Sequence, residues 1–433
     1  MKNIKTNIKS LLNLSSTKSI IVKNSFWLIF DQAIRMLFAL IIGSWTARYL
    51  GKSNYGQISF VTSYLTLFQI ISGLGMEAIV VRDLIYDRVN ANKIIGSVFI
   101  MKLFTGVINW VLSIIFVIYL YGVNDETYIL VFIAGLSLVF QSFSVIELWF
   151  QSNNKTFNIV LPKLIASVII NTLKIVFIVN GASIYLFIAL YSIEFILSAL
   201  FLFIALRRYP IQGKYKFDFT VSKKIFKDSW PFLVSAISIY LYTRFDMFII
   251  KKELGSAELG IYNAAITIST LLPILPMIML NVLNPILAKK KVESEELYQN
   301  YLKLTFRVFG YSGILFSVCV YFLSDFIVKI LFGSDFAAAT DVLKIHIFTN
   351  VFIYMGIAQN IWIVNENKGK INVYKTIVGI VLAIVFNLLL IPKYGVIGAA
   401  YSALIVQFIS SFLINSILAP EAFRLQWRSL LIR

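Results

Sequence analysis

Charged side chains interrupt several of the long apolar runs of this sequence. The basic ones that could bind an anion are Arg35, Lys102, Arg244 and Arg307, and the acidic ones that could bind a coupling H+ or Na+ are Asp31, Glu194 and Asp246. A charged group at the centre of a membrane helix costs about 2.5 to 3.5 kcal/mol on insertion scales, so such groups should face a polar cavity or one another. Arginine suits phosphate oxygens because its planar guanidinium presents several N–H donors. These residue types therefore predict recognition of an anionic substrate.

A purely structural explanation of the same charges stays open at this point. Asp31 and Arg35 lie four residues apart and can pair on one helix face, and Glu194 could pair with Lys174 of the preceding apolar run. Pairing alone does not explain why the deep basic residues outnumber the deep acidic ones. The sequence therefore predicts an internal cavity with excess positive charge.

Other kinds of chemistry have little support in the sequence. Its single cysteine, Cys319, and single histidine, His346, suggest no metal cluster and no catalytic triad, and no Gly-rich phosphate loop ending in Gly-Lys-Ser/Thr is present. His346 could sense pH or relay protons, although an ordinary polar contact is the simpler interpretation. No cofactor is predicted, and the chain is expected not to be an enzyme.

The elements that must position these charges are membrane helices. The chain has 433 residues, of which 59% are hydrophobic and 14% charged, and it contains apolar runs longer than the roughly 18 residues that mark a membrane span. The net charge of +18 does not indicate nucleic acid binding, because the basic residues lie between the apolar runs. The predicted fold is an all-α integral membrane protein.

Twelve membrane spans are predicted from these runs. They lie near 25–47, 56–81, 94–121, 127–149, 157–179, 182–206, 229–250, 259–287, 302–323, 341–363, 371–390 and 396–418. Alternate connections carry 24 basic residues on one side and six on the other. The positive-inside rule then predicts that both termini lie in the cytoplasm.

The predicted spans divide into two halves of six. Residues 1–206 form the N-terminal half, 207–228 a basic cytoplasmic linker, and 229–433 the C-terminal half. Gly51 and Gly56 after span 1 recur as Gly255 and Gly260 after span 7. This recurrence indicates a duplication, and two six-span halves would share one orientation, as in parallel-repeat transporters.

Both ends of the chain show apolar residues at helical spacing beside basic residues. These are Ile4, Ile8, Leu11 and Leu12 at the start, and Phe423, Trp427, Leu430 and Leu431 at the end. Such patterns are typical of amphipathic helices that lie on a membrane surface. Within span 8, Pro273 and Pro276 predict either a hinge for alternating access or a static kink.

Three segments carry a resemblance to a known family. They are Ala47-Arg-Tyr-Leu-Gly-Lys-Ser-Asn-Tyr-Gly-Gln57, Glu147-Leu-Trp-Phe-Gln151 and Ile330-Leu-Phe-Gly-Ser-Asp-Phe336. With Arg82-Asp83 at the end of span 2, they resemble polysaccharide flippases of the multidrug/oligosaccharidyl-lipid/polysaccharide exporter superfamily, and the second segment resembles O-antigen flippases in particular. The resemblance extends over essentially the whole chain.

The resemblance implies a function and a partner. Such a protein would move undecaprenyl-diphosphate-linked oligosaccharide, for O-antigen or a related surface polysaccharide, from the inner to the outer leaflet of the bacterial cytoplasmic membrane. Membrane lipid and polysaccharide assembly proteins would be its further partners. The cationic lumen of the family would correspond by position to Arg35, Lys102, Arg244 and Arg307. Two alternatives stay open, a cation-coupled multidrug exporter with a net acidic lumen, and a membrane polysaccharide polymerase or glycosyltransferase with a long catalytic external loop.

Overall fold

The computed structural model describes residues 16–430, and all the regular secondary structure in that range is helical. The predicted amphipathic segment at Ile4, Ile8, Leu11 and Leu12 lies outside the described residues, as do Leu431 and the side chain of Leu430. The helices are α1 (Ser16–Gly73), α2 (Glu77–Tyr86), α3 (Ala91–Tyr121), α4 (Thr127–Phe140), α5 (Val145–Ser152), α6 (Phe157–Val179), α7 (Ile184–Leu206), α8 (Phe219–Glu253), α9 (Ser256–Ser269), α10 (Ile274–Glu293), α11 (Glu295–Leu331), α12 (Ala339–His346), α13 (Thr349–Asn365), α14 (Lys370–Phe408), α15 (Asn415–Leu418) and α16 (Pro420–Leu430).

Ten helical stretches of the described chain are long and apolar enough to cross a membrane. Two of them, Ile29–Tyr86 and Lys370–Leu418, have 58 and 49 residues, whereas one crossing needs about 20. Each contains a glycine with positive φ, Gly51 (φ 73°) or Gly395 (φ 62°), where the helical dihedrals are interrupted. The protein is therefore a multi-pass membrane protein. The exact number of twelve spans stays a prediction, which these two breaks support.

Several predicted spans are interrupted in ways that the apolar pattern did not predict. Span 4 is divided by a short 3-10 helix, Gln141–Ser144, and span 8 by a non-helical segment between Ser269 and Ile274. Span 10 is divided at 347–348, and span 12 contains a π-helix, Ile409–Leu413. Such interruptions release backbone groups from the regular helical pattern, which within a membrane is tolerated where protein or a polar cavity surrounds them.

The contacts divide the chain into two compact units. Among the described residues, the first unit consists of 16–42 and 65–236, and the second of 43–64 and 237–430. In the first unit, α3 packs on α4, and α7 packs on both α4 and α6. In the second, α11 packs on α13, and α9 and α14 pack on α12. The sequence-based boundaries at 206 and 229 stay a prediction.

The predicted linker is partly helical. Only residues 207–218 lie outside helices, because α8 begins at Phe219, ten residues before the predicted start of span 7. Asp218 explains this early start, since its Oδ1 accepts hydrogen bonds from the backbone N–H groups of Thr220 (2.9 Å) and Val221 (3.2 Å). A side chain that accepts bonds from the first free N–H groups stabilises a helix start.

The repeated glycines have matching conformations and pack together. Gly51 (φ 73°, ψ 168°) and Gly255 (φ 87°, ψ −178°) share a positive-φ backbone conformation that residues with a Cβ atom rarely adopt. A Cβ atom at Gly56 would collide with the backbone of Ser256 and Gly260. The two copies of the motif therefore contact each other within the second unit.

Candidate functional site

A cavity of about 400 Å³ in the first unit collects most of the predicted charges of that unit. Its polar lining consists of Asp31, Gln32, Arg35, Gln141, Ser144, Glu147, Lys163, Glu194 and Ser198. The 3-10 helix contributes Gln141 and Ser144, so the interruption of span 4 places polar side chains directly on the cavity wall.

Arg35 is the centre of the charge network in this first cavity. Its Nε donates to both carboxylate oxygens of Asp31 (3.0 and 3.1 Å), as the spacing predicted, and its Nη1 donates to Glu194 Oε1 (3.3 Å). All three side chains are less than a third exposed. The Nη2 atom of Arg35 is buried and has no hydrogen-bond partner among the described residues. Arg35 thus joins α1 to α7 and keeps one donor group available.

The predicted pairing of Glu194 with Lys174 is only partly seen. Lys174 is close enough to Glu194 to interact with it electrostatically, but the hydrogen bond to Glu194 comes from Arg35. A second pair in the cavity joins Lys163 Nζ to Glu147 Oε2 at 2.9 Å. Glu147 was not among the predicted site residues, although it begins the segment Glu147-Leu-Trp-Phe-Gln151 that carries the family resemblance.

A second cavity, of about 280 Å³, lies within the second unit. Arg244, Asp246 and His346 line it, together with Tyr242, Thr270, Asn387, Ser402 and Gln407. Asp246 accepts hydrogen bonds from the Tyr262 hydroxyl and, at 2.8 Å, from the backbone N–H of Met247. His346 makes the polar contact that the sequence favoured, from Nδ1 to Ser269 Oγ at 2.8 Å.

Two oxygen atoms in the second cavity lack partners. The Oδ1 of Asn387 and the Oγ of Ser402 are buried and make no hydrogen bond with the described residues. Buried polar groups are normally satisfied, so atoms of this kind mark places for water or a bound ligand. The second cavity therefore has unused capacity to bind a polar molecule.

The charge of the cavities differs from the sequence-based expectation of a positive surplus. The first cavity has three carboxylates, Asp31, Glu147 and Glu194, against two cations, Arg35 and Lys163. In the second cavity, Arg244 and Asp246 balance. The prediction counted charges along the whole chain and could not tell which of them share a wall.

Two predicted lumen cations line neither cavity. Lys102 is 2% exposed, donates to Ser144 Oγ at 3.1 Å and lies 3.7 Å from Glu77. Arg307 is on an exposed face of α11 beside Leu304 and Val308, and it forms no ion pair with the described residues. Substrate binding by Lys102 and Arg307 stays a prediction.

The predicted hinge prolines lie beside the interruption between α9 and α10. Pro273 directly precedes α10, and Pro276 is in its first turn. Proline in a first turn removes no helical hydrogen bond, because those N–H groups have no partner within the helix. The break itself precedes Pro276, and the hinge role stays a prediction.

Comparison with known proteins places this architecture in a family. The sequence profile described as "Polysaccharide biosynthesis protein" matches residues 21–291, and the profile described as "MatE" matches residues 231–389. The capsular polysaccharide biosynthesis protein CapF of Staphylococcus aureus is 24% identical over 87% of this chain and 92% of its own length. The probable low-salt glycan biosynthesis flippase Agl15 of Haloferax volcanii is 24% identical over 46% of this chain and 42% of its own length.

Solved structures show the same fold. The lipid II flippase MurJ, in an inward closed conformation, superposes with a TM-score of 0.73 at 17% identity, covering 94% of this chain and 91% of its own. An inward-facing multidrug resistance MATE family transporter of the MOP superfamily superposes with a TM-score of 0.72 at 15% identity, covering 90% of this chain and 95% of its own. Since the first profile matches more than half of the residues, the chain belongs to the polysaccharide biosynthesis protein family, a group with the helical fold of MOP-superfamily membrane transporters.

Proposed function

We propose that this protein is a flippase. Its substrate is an undecaprenyl-diphosphate-linked oligosaccharide, the repeat unit of O-antigen or a related surface polysaccharide, which it moves from the cytoplasmic to the periplasmic leaflet of a bacterial cytoplasmic membrane. The observation that carries this proposal is the family match over residues 21–291. Two relatives support it, because one is named for capsular polysaccharide and the other for a glycan flippase.

The distribution of charge within the membrane supports transport of a polar headgroup. A diphosphate and its sugars cannot cross the hydrocarbon core unaided, so a carrier needs polar surface between its helices. The first and second cavities provide such surface, and both contain arginine. Arg35 lines the first cavity, and its Nη2 group makes no hydrogen bond with the described residues, so a rearrangement that exposes this group would let it donate to a phosphate oxygen.

Coupling to H+ or Na+ is assigned to carboxylates in the cavities. Asp31 and Glu194 share one guanidinium, and Asp246 accepts from Tyr262 next to Arg244. Uptake of a cation by one of these carboxylates would weaken its attraction for the neighbouring arginine and release that arginine for the substrate. Alternating access would then use the non-helical segment between Ser269 and Ile274, with Pro273 in it and Pro276 directly after it, as its flexible point. With basic loops on the inner side, both termini lie in the cytoplasm.

A second candidate function is export of a cationic small molecule. The surplus of carboxylates in the first cavity favours it, because an acidic lumen attracts cations. The MatE match over residues 231–389 and the fold shared with a multidrug transporter are consistent with it. A polymerase or glycosyltransferase has no comparable support from the family match.

A deletion strain separates these functions. We expect loss of the protein to leave complete lipid-linked repeat units on the cytoplasmic face of the membrane and to deplete the surface polysaccharide. The wild-type gene should restore both, and the matched Arg35→Gln variant should restore neither while inserting normally in the membrane. Normal polysaccharide together with increased sensitivity to cationic drugs would contradict the flippase and support the exporter.

A further inference from the structure

A third pocket, of about 330 Å³, contains a half-buried lysine, Lys375, that the first and second cavities do not include. It lies in the second unit, and its polar lining consists of Tyr242, Asn360, Asn372, Lys375, Thr376, Gln407, Ser410 and Ser411. Lys375 is in the second turn of α14, within one of the stretches that can cross the membrane. It was absent from the residues selected from the sequence.

Lys375 contacts an amide, whereas Lys163 and Lys291 contact carboxylates. Its Nζ donates to the amide oxygen Oε1 of Gln359 at 2.6 Å, and it has no carboxylate within 4.0 Å in the part of the chain that the structure describes. By contrast, Lys163 and Lys291 each contact a carboxylate, at 2.9 and 2.6 Å. An amide satisfies one N–H group of the ammonium but leaves its charge uncompensated. A cation kept in this state within a membrane helix is costly and suggests a ligand of opposite charge.

The remaining lining of the third pocket suits an anion. None of the described residues on its wall is acidic. Asn372 and Thr376, one turn of α14 apart, lie on that wall on either side of Lys375 in sequence, and the Nδ2 of Asn372 donates to Asn360 Oδ1 at 3.1 Å. The third pocket therefore carries one net positive charge, whereas the first cavity has a surplus of carboxylates and the second is balanced.

A buried polar network fixes the position of Gln359. Its Nε2 donates to Asn415 Oδ1 at 2.8 Å, and the Nδ2 of Asn415 donates to Gln426 Oε1 at 2.9 Å. All three side chains are fully buried. Asn415 and Gln426 also donate to the backbone oxygen of Ser411, in the π-helix. The network orients the amide oxygen of Gln359 toward Lys375 and so positions the ammonium at the pocket wall.

The sequence-based topology places Lys375 near the cytoplasmic end of a membrane span. Lys375 is five residues after the start of α14, which corresponds to about 7.5 Å along a helix. The connection before α14 contains Lys368 and belongs to the basic set of loops assigned to the cytoplasmic side. A diphosphate attached to a lipid in the inner leaflet would lie at about this depth.

We propose that Lys375, with Asn372 and Thr376, forms a phosphate-binding site that receives the diphosphate of the lipid-linked substrate from the cytoplasmic leaflet. This inference rests on the proposed flippase function. It assigns the first contact with the substrate to the second unit, at a residue separate from Arg35 and Arg244. The ammonium supplies charge, and the neighbouring amide and hydroxyl groups can donate hydrogen bonds to the phosphate oxygens.

The test measures binding of a short prenyl diphosphate to the full-length protein in nanodiscs of phosphatidylcholine. We expect Lys375→Gln to weaken binding by about 10-fold or more, since a hydrogen bond to a charged group is lost, and Lys375→Arg to retain most of it. Asn360→Asp keeps the acceptor for Asn372 and adds a negative charge to the pocket, so it should also weaken binding. Lys393→Gln is the matched control, because Lys393 is an exposed lysine of the same helix. The uncharged prenyl alcohol should bind equally to all variants.

The outcomes distinguish this site from the proposed function. If Lys375→Gln and Asn360→Asp bind the prenyl diphosphate as the wild type does while the wild type still moves lipid-linked oligosaccharide, the site is wrong and the flippase stands. Failure of the wild type both to bind and to transport would contradict both proposals. Competition by phosphatidylglycerol as strong as that by the prenyl diphosphate would assign the pocket to phospholipid headgroups and overturn the site as a substrate site.

Discussion

Replacing Arg35 and Glu194 singly and together measures the contribution of the charge pair that joins α1 to α7. Arg35 Nη1 and Glu194 Oε1 are 3.3 Å apart, and two unit charges at this distance attract by about 5 kcal/mol at an effective dielectric constant of about 20. Desolvation offsets most of this attraction. We therefore expect a coupling energy of about 1 to 2 kcal/mol between Arg35→Gln and Glu194→Gln.

The single variants should differ in a defined order. Arg35→Gln removes the cation from two carboxylates, Asp31 and Glu194, so it should destabilise the protein more than Glu194→Gln does. The double variant should be more stable than the sum of the single effects predicts. Denaturant titration of the purified protein in mixed micelles gives the free energy of unfolding for each variant.

Tyr185→Phe provides the control for this double-mutant cycle of Arg35 and Glu194. The Tyr185 hydroxyl donates to Glu126 Oε2 at 2.7 Å. Tyr185 is nine residues from Glu194 along α7, which corresponds to about 13 Å. The change in unfolding free energy caused by Tyr185→Phe should add to that caused by Arg35→Gln within about 0.5 kcal/mol. A coupling energy below about 0.3 kcal/mol between Arg35→Gln and Glu194→Gln would refute the reasoning, because the two side chains would then contribute independently.

Three further substitutions test other parts of the structure. Gly260→Ala should destabilise the protein by about 1 to 3 kcal/mol in the same titration, because a Cβ there collides with the backbone oxygen of Lys52. Gly43→Ala is the control and should not destabilise it, because Gly43 has open space around it. Equal effects of the two variants would contradict the close packing of the repeated motif. Asp246→Asn keeps only one of the two oxygens that accept from Tyr262 and Met247, so we expect it to destabilise the protein by about 1 to 3 kcal/mol and to slow transport in vesicles. Normal transport would remove Asp246 from coupling. Arg307→Gln should leave the transport rate within about 2-fold of the wild type, since substitutions of surface residues without partners have small effects. A loss of transport as large as that of Arg35→Gln would support the predicted lumen role of Arg307.

The sequence predicted the helical membrane fold and the local features well. Apolar run length is enough to identify membrane helices, and the Asp31–Arg35 pair follows from helical spacing alone. The recurrence of Gly51 and Gly56 as Gly255 and Gly260 predicted a duplication, and the matching dihedrals of Gly51 and Gly255 support it. These features depend on residues close together in the chain.

The features that the sequence did not predict are contacts between distant segments and a helix interruption without a local signal. Glu194 receives its hydrogen bond from Arg35, which is 159 residues away, and no local pattern reveals that α1 and α7 are neighbours. The interruption at Gln141–Ser144 contains neither glycine nor proline, so the chain offers no local signal for it. Lys375 lies within the predicted span 371–390, and its partner Gln359 is 16 residues away on another helix, so no local pattern distinguishes it from other charged residues of the spans.

Translocation by the purified protein tests the central claim most directly. The protein is reconstituted in vesicles that carry a fluorescent undecaprenyl-diphosphate oligosaccharide, and the fraction of label accessible to a membrane-impermeant quencher is followed over time. We predict that labelled lipid held in the inner leaflet becomes accessible at the outer surface with wild-type protein and remains protected with Arg35→Gln. Labelled lipid that stays protected in wild-type vesicles, while a cationic dye is exported from the same vesicles, would contradict the account.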